Sequence, residues 1–118
     1  MLLRLEENWR SGANRFDRPG ELILGAWRDG RMLGICGRNI DPYDGTARAG
    51  RVRHLYVDPA GRRQGIGRML IDAISEGAAE YFDYLNTNAP EGAFAFYEQL
   101  GFARQPGVEH VTHRRMLG

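Results

Sequence analysis

The 118-residue chain has no lysine: all sixteen of its basic residues are arginine. Schiff-base chemistry, which needs a side-chain amine, is excluded, and so is self-acetylation at lysine. Only one cysteine, Cys36, is present, so no disulfide can form within the chain and no thiolate cluster can hold a metal. With no base beside it in sequence, Cys36 reads as a small buried apolar residue of a strand. No apolar run is long enough to span a bilayer, and Met1-Leu2-Leu3-Arg4-Leu5 is too short for a secretory signal. A cytoplasmic protein without a membrane partner is expected. The net charge is only +1, and the length suits one domain, 1–118, with a core of its own.

What the chain does have is arginine, unevenly placed. Arg48, Arg51, Arg53, Arg62, Arg63 and Arg68 stand against the single acid Asp58, whereas Met69 to Ala103 holds acids and no arginine. Inside the basic block lies Asp58-Pro59-Ala60-Gly61-Arg62-Arg63-Gln64-Gly65-Ile66-Gly67-Arg68, running into a helical pattern. Gly65 and Gly67 lack a Cβ, so the backbone can take positive φ and approach a ligand closely, and the first N–H groups of the helix have no acceptor within it. The helix dipole adds roughly half a positive charge there. The segment Arg62, Arg63, Gln64, Gly65, Ile66, Gly67 and Arg68 is therefore expected to cradle a di- or polyphosphate. A solvated charge pattern is the ordinary reading of a basic block, and its overlap with the glycine turn favours the anion site. A nucleic-acid partner is not expected, because the block is short and the acidic half would repel a long phosphate backbone.

Taken in order, Leu2, Leu5 and Trp9 recur at helical spacing, which predicts a short helix over 2–10. Glu21 to Arg28 and Arg31 to Asn39 read as two strands joined by the hairpin turn Asp29-Gly30. Apolar residues on both parities imply that both faces of that hairpin are covered. Ile40 to Gly50 is turn-rich and expected to be exposed. Arg51 to Val57 is a strand that Asp58-Pro59 stops. From Gly65 to Glu80, Ile66, Met69, Leu70, Ala73, Ile74 and Gly77 form one helical stripe. Tyr81 to Thr87 is the next strand, parallel to the Arg51 strand if the helix between them is a crossover. A last helix, Gly92 to Leu100, should stop at Gly101 with Phe102 packing back, and a closing strand falls within Glu109 to Met116. His110 and His113 would point to opposite faces of that strand, so no metal pair is expected. The fold class is α/β (α+β), a mixed central sheet flanked by helices.

The glycine turn, with the strand His54-Leu55-Tyr56-Val57-Asp58-Pro59 before it and an amphipathic helix after it, resembles the acyl-CoA pyrophosphate loop of the GNAT superfamily of N-acetyltransferases. Ala93-Phe94-Ala95-Phe96-Tyr97-Glu98-Gln99-Leu100-Gly101-Phe102 is similar to the late helix of that family, in the same order along the chain. The resemblance implies acetyl-CoA as co-substrate, held by the glycine turn, with backbone groups of Leu55, Tyr56 and Val57 meeting the acyl carbonyl and pantetheine arm. It implies Tyr97 as the catalytic group that gives a proton to the departing thiolate. Where many members carry an asparagine before the helix tyrosine this chain has Pro90, so Asn88, or Asn86, is the expected replacement. The strand positions that often carry a glutamate or histidine base match Arg51 and Arg53, and a guanidinium cannot accept the proton. These two arginines are instead expected to bind an acidic group on the acceptor. His54, on the other parity, reads as a packed or exposed strand residue, and a water held by Glu21 is an alternative base. The N-terminus is short for the family, which implies that the first strand and a helix are missing. The hairpin edge left open by that loss would suit a homodimer. The implied function is transfer of an acetyl group to a primary amine of a small molecule or peptide, the alternative being a non-catalytic acyl-CoA-binding module or a dimeric regulatory protein.

Overall fold

The computed structural model describes 18–62 and 64–118 in full and 4–7 as backbone. Along the chain come β1 (Arg4–Glu7), β2 (Leu22–Arg28), β3 (Arg31–Ile40), β4 (Ala49–Val57), α1 (Ile66–Ser75), β5 (Tyr84–Thr87), α2 (Phe94–Gln99), β6 (Ala103–Arg104) and β7 (His113–Met116). The strands form one seven-stranded sheet in the order β1-β2-β3-β4-β5-β7-β6. Neighbours are antiparallel except β4 and β5, which run parallel on either side of the α1 crossover. The expected class, a mixed sheet flanked by helices, is the one adopted.

The β2–β3 turn has φ 51° at Asp29 and 79° at Gly30, the mirror-image turn whose twist matches that of the strands it joins. α1 buries Ile66, Leu70, Ile71 and Ile74 against Ala26, Leu33 and Cys36 of the sheet. Gly34 makes this approach possible: a Cβ there would lie 2.9 Å from both Leu70 Cδ1 and Tyr56 O. Cys36 is a buried core residue, and burial pushes its thiol up to about 12, so it packs as an apolar side chain.

α1 stops at Ser75 rather than continuing to Glu80. Glu76 turns extended, Gly77 takes φ 71° and Ala78–Glu80 tightens into a 3-10 turn, which delays β5 to Tyr84. The buried Arg38 of β3 receives the helix end, its Nη1 donating to Ile74 O at 2.6 Å and Glu76 O at 3.1 Å. A guanidinium at that end is favoured by the helix dipole as well as by its hydrogen bonds. α2 is shorter than its sequence pattern suggests, starting at Phe94 after the 3-10 turn Glu91–Ala93. Its end is as expected. Gly101 takes φ 88°, Gly101 N–H donates to Glu98 O at 3.2 Å, and Phe102 N–H donates to Tyr97 O at 3.1 Å, the paired bonds of a left-handed helix stop.

The N-terminal expectation is overturned. Residues 4–7 are a strand, not a helix, and pair with β2 from Arg4↔Trp27 to Glu7↔Leu24. The free N–H and C=O groups along β2 offer ladder partners that local helical spacing cannot outweigh. Leu2 and Trp9 lie outside the described residues. The first strand is thus present, and it covers β2 from Leu24 to Trp27. Ile40 to Gly50 is also not wholly exposed: Asp41 is buried and the chain re-enters the sheet at Ala49.

Candidate active site

At the end of β4 the chain turns through Asp58, whose carboxylate accepts from Ala60 N–H at 2.9 Å, and reaches Gly65, the left-handed cap of α1 with φ 75°. No atom lies within 4 Å of a Cβ placed on Gly65, so glycine is required there by its dihedral rather than by space. The first bond of the helix runs from Met69 N–H to Gly65 O, 2.9 Å, which leaves Ile66, Gly67 and Arg68 N–H ahead of the ladder and directed outward. Gln64 is held from both sides, its Nε2 donating to Ala60 O at 2.6 Å and its Oε1 accepting from Arg28 Nη1. Beside this turn Val57, Gly61, Arg62, Gly65, Ile66, Gly67, Arg68 and Phe96 line a cavity of about 370 Å³. Gly67 is small for a different reason from Gly65, since its Cβ would meet the Phe96 ring of α2 at 3.2 Å.

β4 and β5 pair only at Ala49↔Tyr84, Gly50↔Leu85 and Arg51↔Asn86. Beyond that point β4 runs on to Val57 while β5 ends at Thr87, so the two strands open into a V. A buried polar clamp holds the vertex. Asp41 Oδ2 accepts from Asn86 Nδ2 at 2.9 Å and from Arg51 Nη1 at 3.4 Å, and Arg114 Nε donates to Asn86 Oδ1 at 2.8 Å. Within the V, Val52, His54, Leu55, Thr87, Asn88, Ala89, Pro90, Ala93, Phe96 and Tyr97 line a second cavity of about 330 Å³. Phe96 lines both cavities, so they adjoin at its ring along the side of α2.

Tyr97 is 5 % exposed, with its ring against Phe96 and Phe102 at centroid distances of 5.1 and 5.2 Å. Burial raises the phenol above its ordinary value near 10.0, and a hydrogen bond with the Thr87 side chain acts in the opposite sense. The phenol therefore stays protonated at neutral pH. His54 is brought to the same cavity by a β-bulge. The β3–β4 register slips between Ile35 and Gly37, and His54 takes φ 55°, a conformation uncommon for a non-glycine residue.

The structure gathers Leu55, Val57, Arg62, Gly65, Ile66, Gly67, Arg68, Asn88 and Tyr97 along the groove. Tyr56 turns its side chain to the opposite face, half exposed and paired with Ile35. Arg63 lies outside the described residues. Arg51 corrects the sequence reading: its side chain is buried and committed to Asp41, with its guanidinium 4.9 Å from the Tyr43 ring centroid, so it closes the V instead of facing an acceptor. Arg53 is half-buried on that same face. Glu21 is occupied as well, accepting from Ile40 N–H at 2.8 Å and from the Arg18 guanidinium at 3.1 Å. Asn86 belongs to the clamp, which leaves Asn88 at the groove. Sequence reasoning missed Thr87 and Phe96 as cavity-lining residues; His54 is the exposed strand residue it was expected to be, and it also borders the cavity. His110 is exposed and stacked on Tyr43 at 4.1 Å, while His113 is buried. Among the described residues no group of metal-binding side chains converges and no helix is long and apolar enough to cross a membrane.

A splayed parallel strand pair with a glycine-capped helix at one end matches more than the local motifs. The family model described as an acetyltransferase (GNAT) domain matches residues 19–104. The chain belongs to the GNAT acetyltransferase family. Among solved GNAT-like structures, one assigned as an acetyltransferase from Exiguobacterium sp. 255-15 superposes with a TM-score of 0.84 and 26% identity, covering 98% of this chain and 94% of that one. Mycothiol acetyltransferase from Salinispora tropica is 32% identical over 94% of this chain and 35% of its own length. Aminoglycoside N(6')-acetyltransferase type 1 from Klebsiella aerogenes is 36% identical over 52% of this chain and 42% of its own. The matched segments thus span less than half the length of either curated relative.

Proposed function

We propose that this chain transfers an acetyl group from acetyl-CoA to a primary amine by direct attack on the thioester. The observation that carries this reading is the pair of cavities that adjoin at Phe96, one beside the first N–H groups of α1 and the other holding Tyr97. The residues present suit the co-substrate: Ile66, Gly67 and Arg68 N–H meet the pyrophosphate, with Arg62 and Arg68 alongside, and the unpaired side of β4 meets the pantetheine arm. Acetyl-CoA supplies an activated acyl group on a thiol leaving group. A β4 backbone N–H stabilises the oxygen as the amine nitrogen bonds to the carbonyl carbon. When the C–S bond breaks, the sulfur takes the electron pair and Tyr97 offers it a hydrogen bond or a proton. His54, in the same cavity, accepts the proton that the amine loses. Arg53 remains the arginine placed to meet an acidic group on the acceptor. The aminoglycoside relative makes an aminoglycoside one of the first acceptors to assay.

Calorimetric titration with acetyl-CoA tests the reading, on the wild type and on Gly65→Glu, which puts an anion on the helix cap. Micromolar binding that the variant loses, followed by thiol release with an amine, is expected. Binding with no turnover on any amine would favour a non-catalytic acyl-CoA-binding module, and absence of binding would remove the co-substrate.

A further inference from the structure

Beside Tyr97 sits an ionisable group that the proposed reaction does not use. His113 of β7 is 0 % exposed, yet both ring nitrogens face oxygen, Nε2 at 2.7 Å from Glu98 Oε2 and Nδ1 at 3.0 Å from Thr112 Oγ1. Its ring lies 28° from that of Tyr97, with centroids 6.4 Å apart, and meets Phe94 edge-on at 4.8 Å. Thr112 carries the contact onward. Its hydroxyl accepts from Ala89 N–H at 2.9 Å and lies 3.2 Å from Thr87 O. Ala89 and Thr87 are the cavity wall at the end of β5, and Tyr97 lines that same cavity.

A hydroxyl has one proton to donate. When Nδ1 carries a proton it donates to Thr112 Oγ1, and the hydroxyl is free to donate to Thr87 O. With Nε2–H directed at Glu98, every polar atom of the chain is then satisfied. When Nδ1 is bare it takes the Thr112 proton, and Thr87 O keeps only the bond from Thr112 N–H at 2.9 Å. One proton on the imidazole thus sets the number of ties between β7 and the cavity wall. Among the described residues, the charged and titratable groups packed around it are Glu98 and Tyr97 on α2 and Arg104 on β6. The Arg104 guanidinium covers Phe94 at 4.6 Å, and its backbone pairs with that of His113. On β7 itself Arg114 turns to Asn86 and Arg115 to Ser75.

We infer that Thr112, His113 and Glu98 form a positioning relay for Tyr97, in which protonation of the imidazole fixes α2 and the end of β5 around the groove. The inference rests on the reading of Tyr97 as the group that assists the departing sulfur. Two measurements separate the relay from that reading. Nitrogen-15 NMR of ring-labelled histidine in the ligand-free protein reports the relay alone: Glu98→Gln, which removes the carboxylate facing Nε2, is expected to change how many protons the His113 ring carries. Turnover reports its use. Thr112→Val is expected to lower kcat about tenfold, as small misplacements do, with KM for acetyl-CoA within twofold. It should also flatten the dependence of kcat on pH that the relay imposes. Thr112→Ser, which keeps the hydroxyl, should retain both. If Thr112→Val does not fold, His113→Gln reads the same change, because an amide cannot take up a proton. A Thr112→Val protein with wild-type kcat and profile overturns the inference, as does a His113 ring whose protons are indifferent to Glu98→Gln. Wild-type turnover in Tyr97→Phe overturns it too, and the NMR result then shows whether the ties exist without that purpose.

Discussion

Replacing Tyr97 by phenylalanine removes one oxygen from the groove and leaves the ring that packs on Phe96 and Phe102. The ring packing is kept and Thr87 is the polar side chain that influences the phenol, so the expected stability change is within about 1 kcal/mol. Truncation to alanine would instead cost about 3–5 kcal/mol of core packing and confuse the two roles. For catalysis the energetics are specific. A phenol near its ordinary value is already about 1.5 units above a free thiol, so complete transfer of its proton to the leaving sulfur is uphill by about 2 kcal/mol. Burial of Tyr97 makes it a weaker acid still. What it contributes is a hydrogen bond that strengthens as charge builds on sulfur, and its loss should lower kcat about a hundredfold, or about 2.7 kcal/mol. The penalty should shrink with acyl donors whose thiol is more acidic. Because the phenol is raised, this group should produce no loss of rate up to about pH 10. Thiol release at saturating acetyl-CoA, with thermal melting of both proteins, measures all of this. A variant with kcat within twofold of wild type would refute the catalytic role and leave Tyr97 as a core residue.

Two further outcomes concern the frame. Asp41→Asn strands the buried Arg51 guanidinium and is expected to cost about 3–5 kcal/mol in urea unfolding. Adding Arg51→Gln should recover part of that loss, and strictly additive losses would show that the pair is not coupled. The chain's lack of lysine leaves a clear alkaline window for Cys36. Its folded-state value is raised by burial from 9.0 to about 12, so the stability it contributes is complete below pH 9 and is lost as pH rises toward 12, because the unfolded thiol ionises first. Between pH 7.5 and 9.5, before the tyrosines titrate, wild type should lose about 0.8 kcal/mol more than Cys36→Ala, and equal losses would place the thiol in contact with solvent.

The parts that sequence reasoning reached share a physical property: their conformation is set by neighbouring residues. Asp29-Gly30 makes its turn because both positions adopt positive φ, and Gly65 caps α1 by the same freedom. Gly101 ends α2, and Phe102 folds back over Tyr97, all within a few residues. The errors lie where distant segments compete. Leu2, Leu5 and Trp9 have helical spacing, but Arg4–Glu7 meets an unfilled edge of β2 and becomes a strand. Arg51 looks like a cation beside the cleft until Asp41, ten residues earlier in the chain, folds beneath it. His54, though exposed, borders the cavity beside a slip in register between β3 and β4, a relation between two strands that neither strand's alternation contains.

Taken alone, the sequence determined the glycine cap of α1, the hairpin, the parallel crossover and the helix that carries Tyr97, since dihedral freedom and periodicity act over short distances. Tertiary structure decided which polar side chains face the groove and which close it. Asp41 pairs with Arg51 and Asn86 to fix where the strands part, the bulge leaves the exposed His54 at the cavity rim, and Thr112 joins β7 to the cavity wall. Each of these depends on the register of strands far apart in the chain, where one residue of slip exchanges the two faces of a sheet.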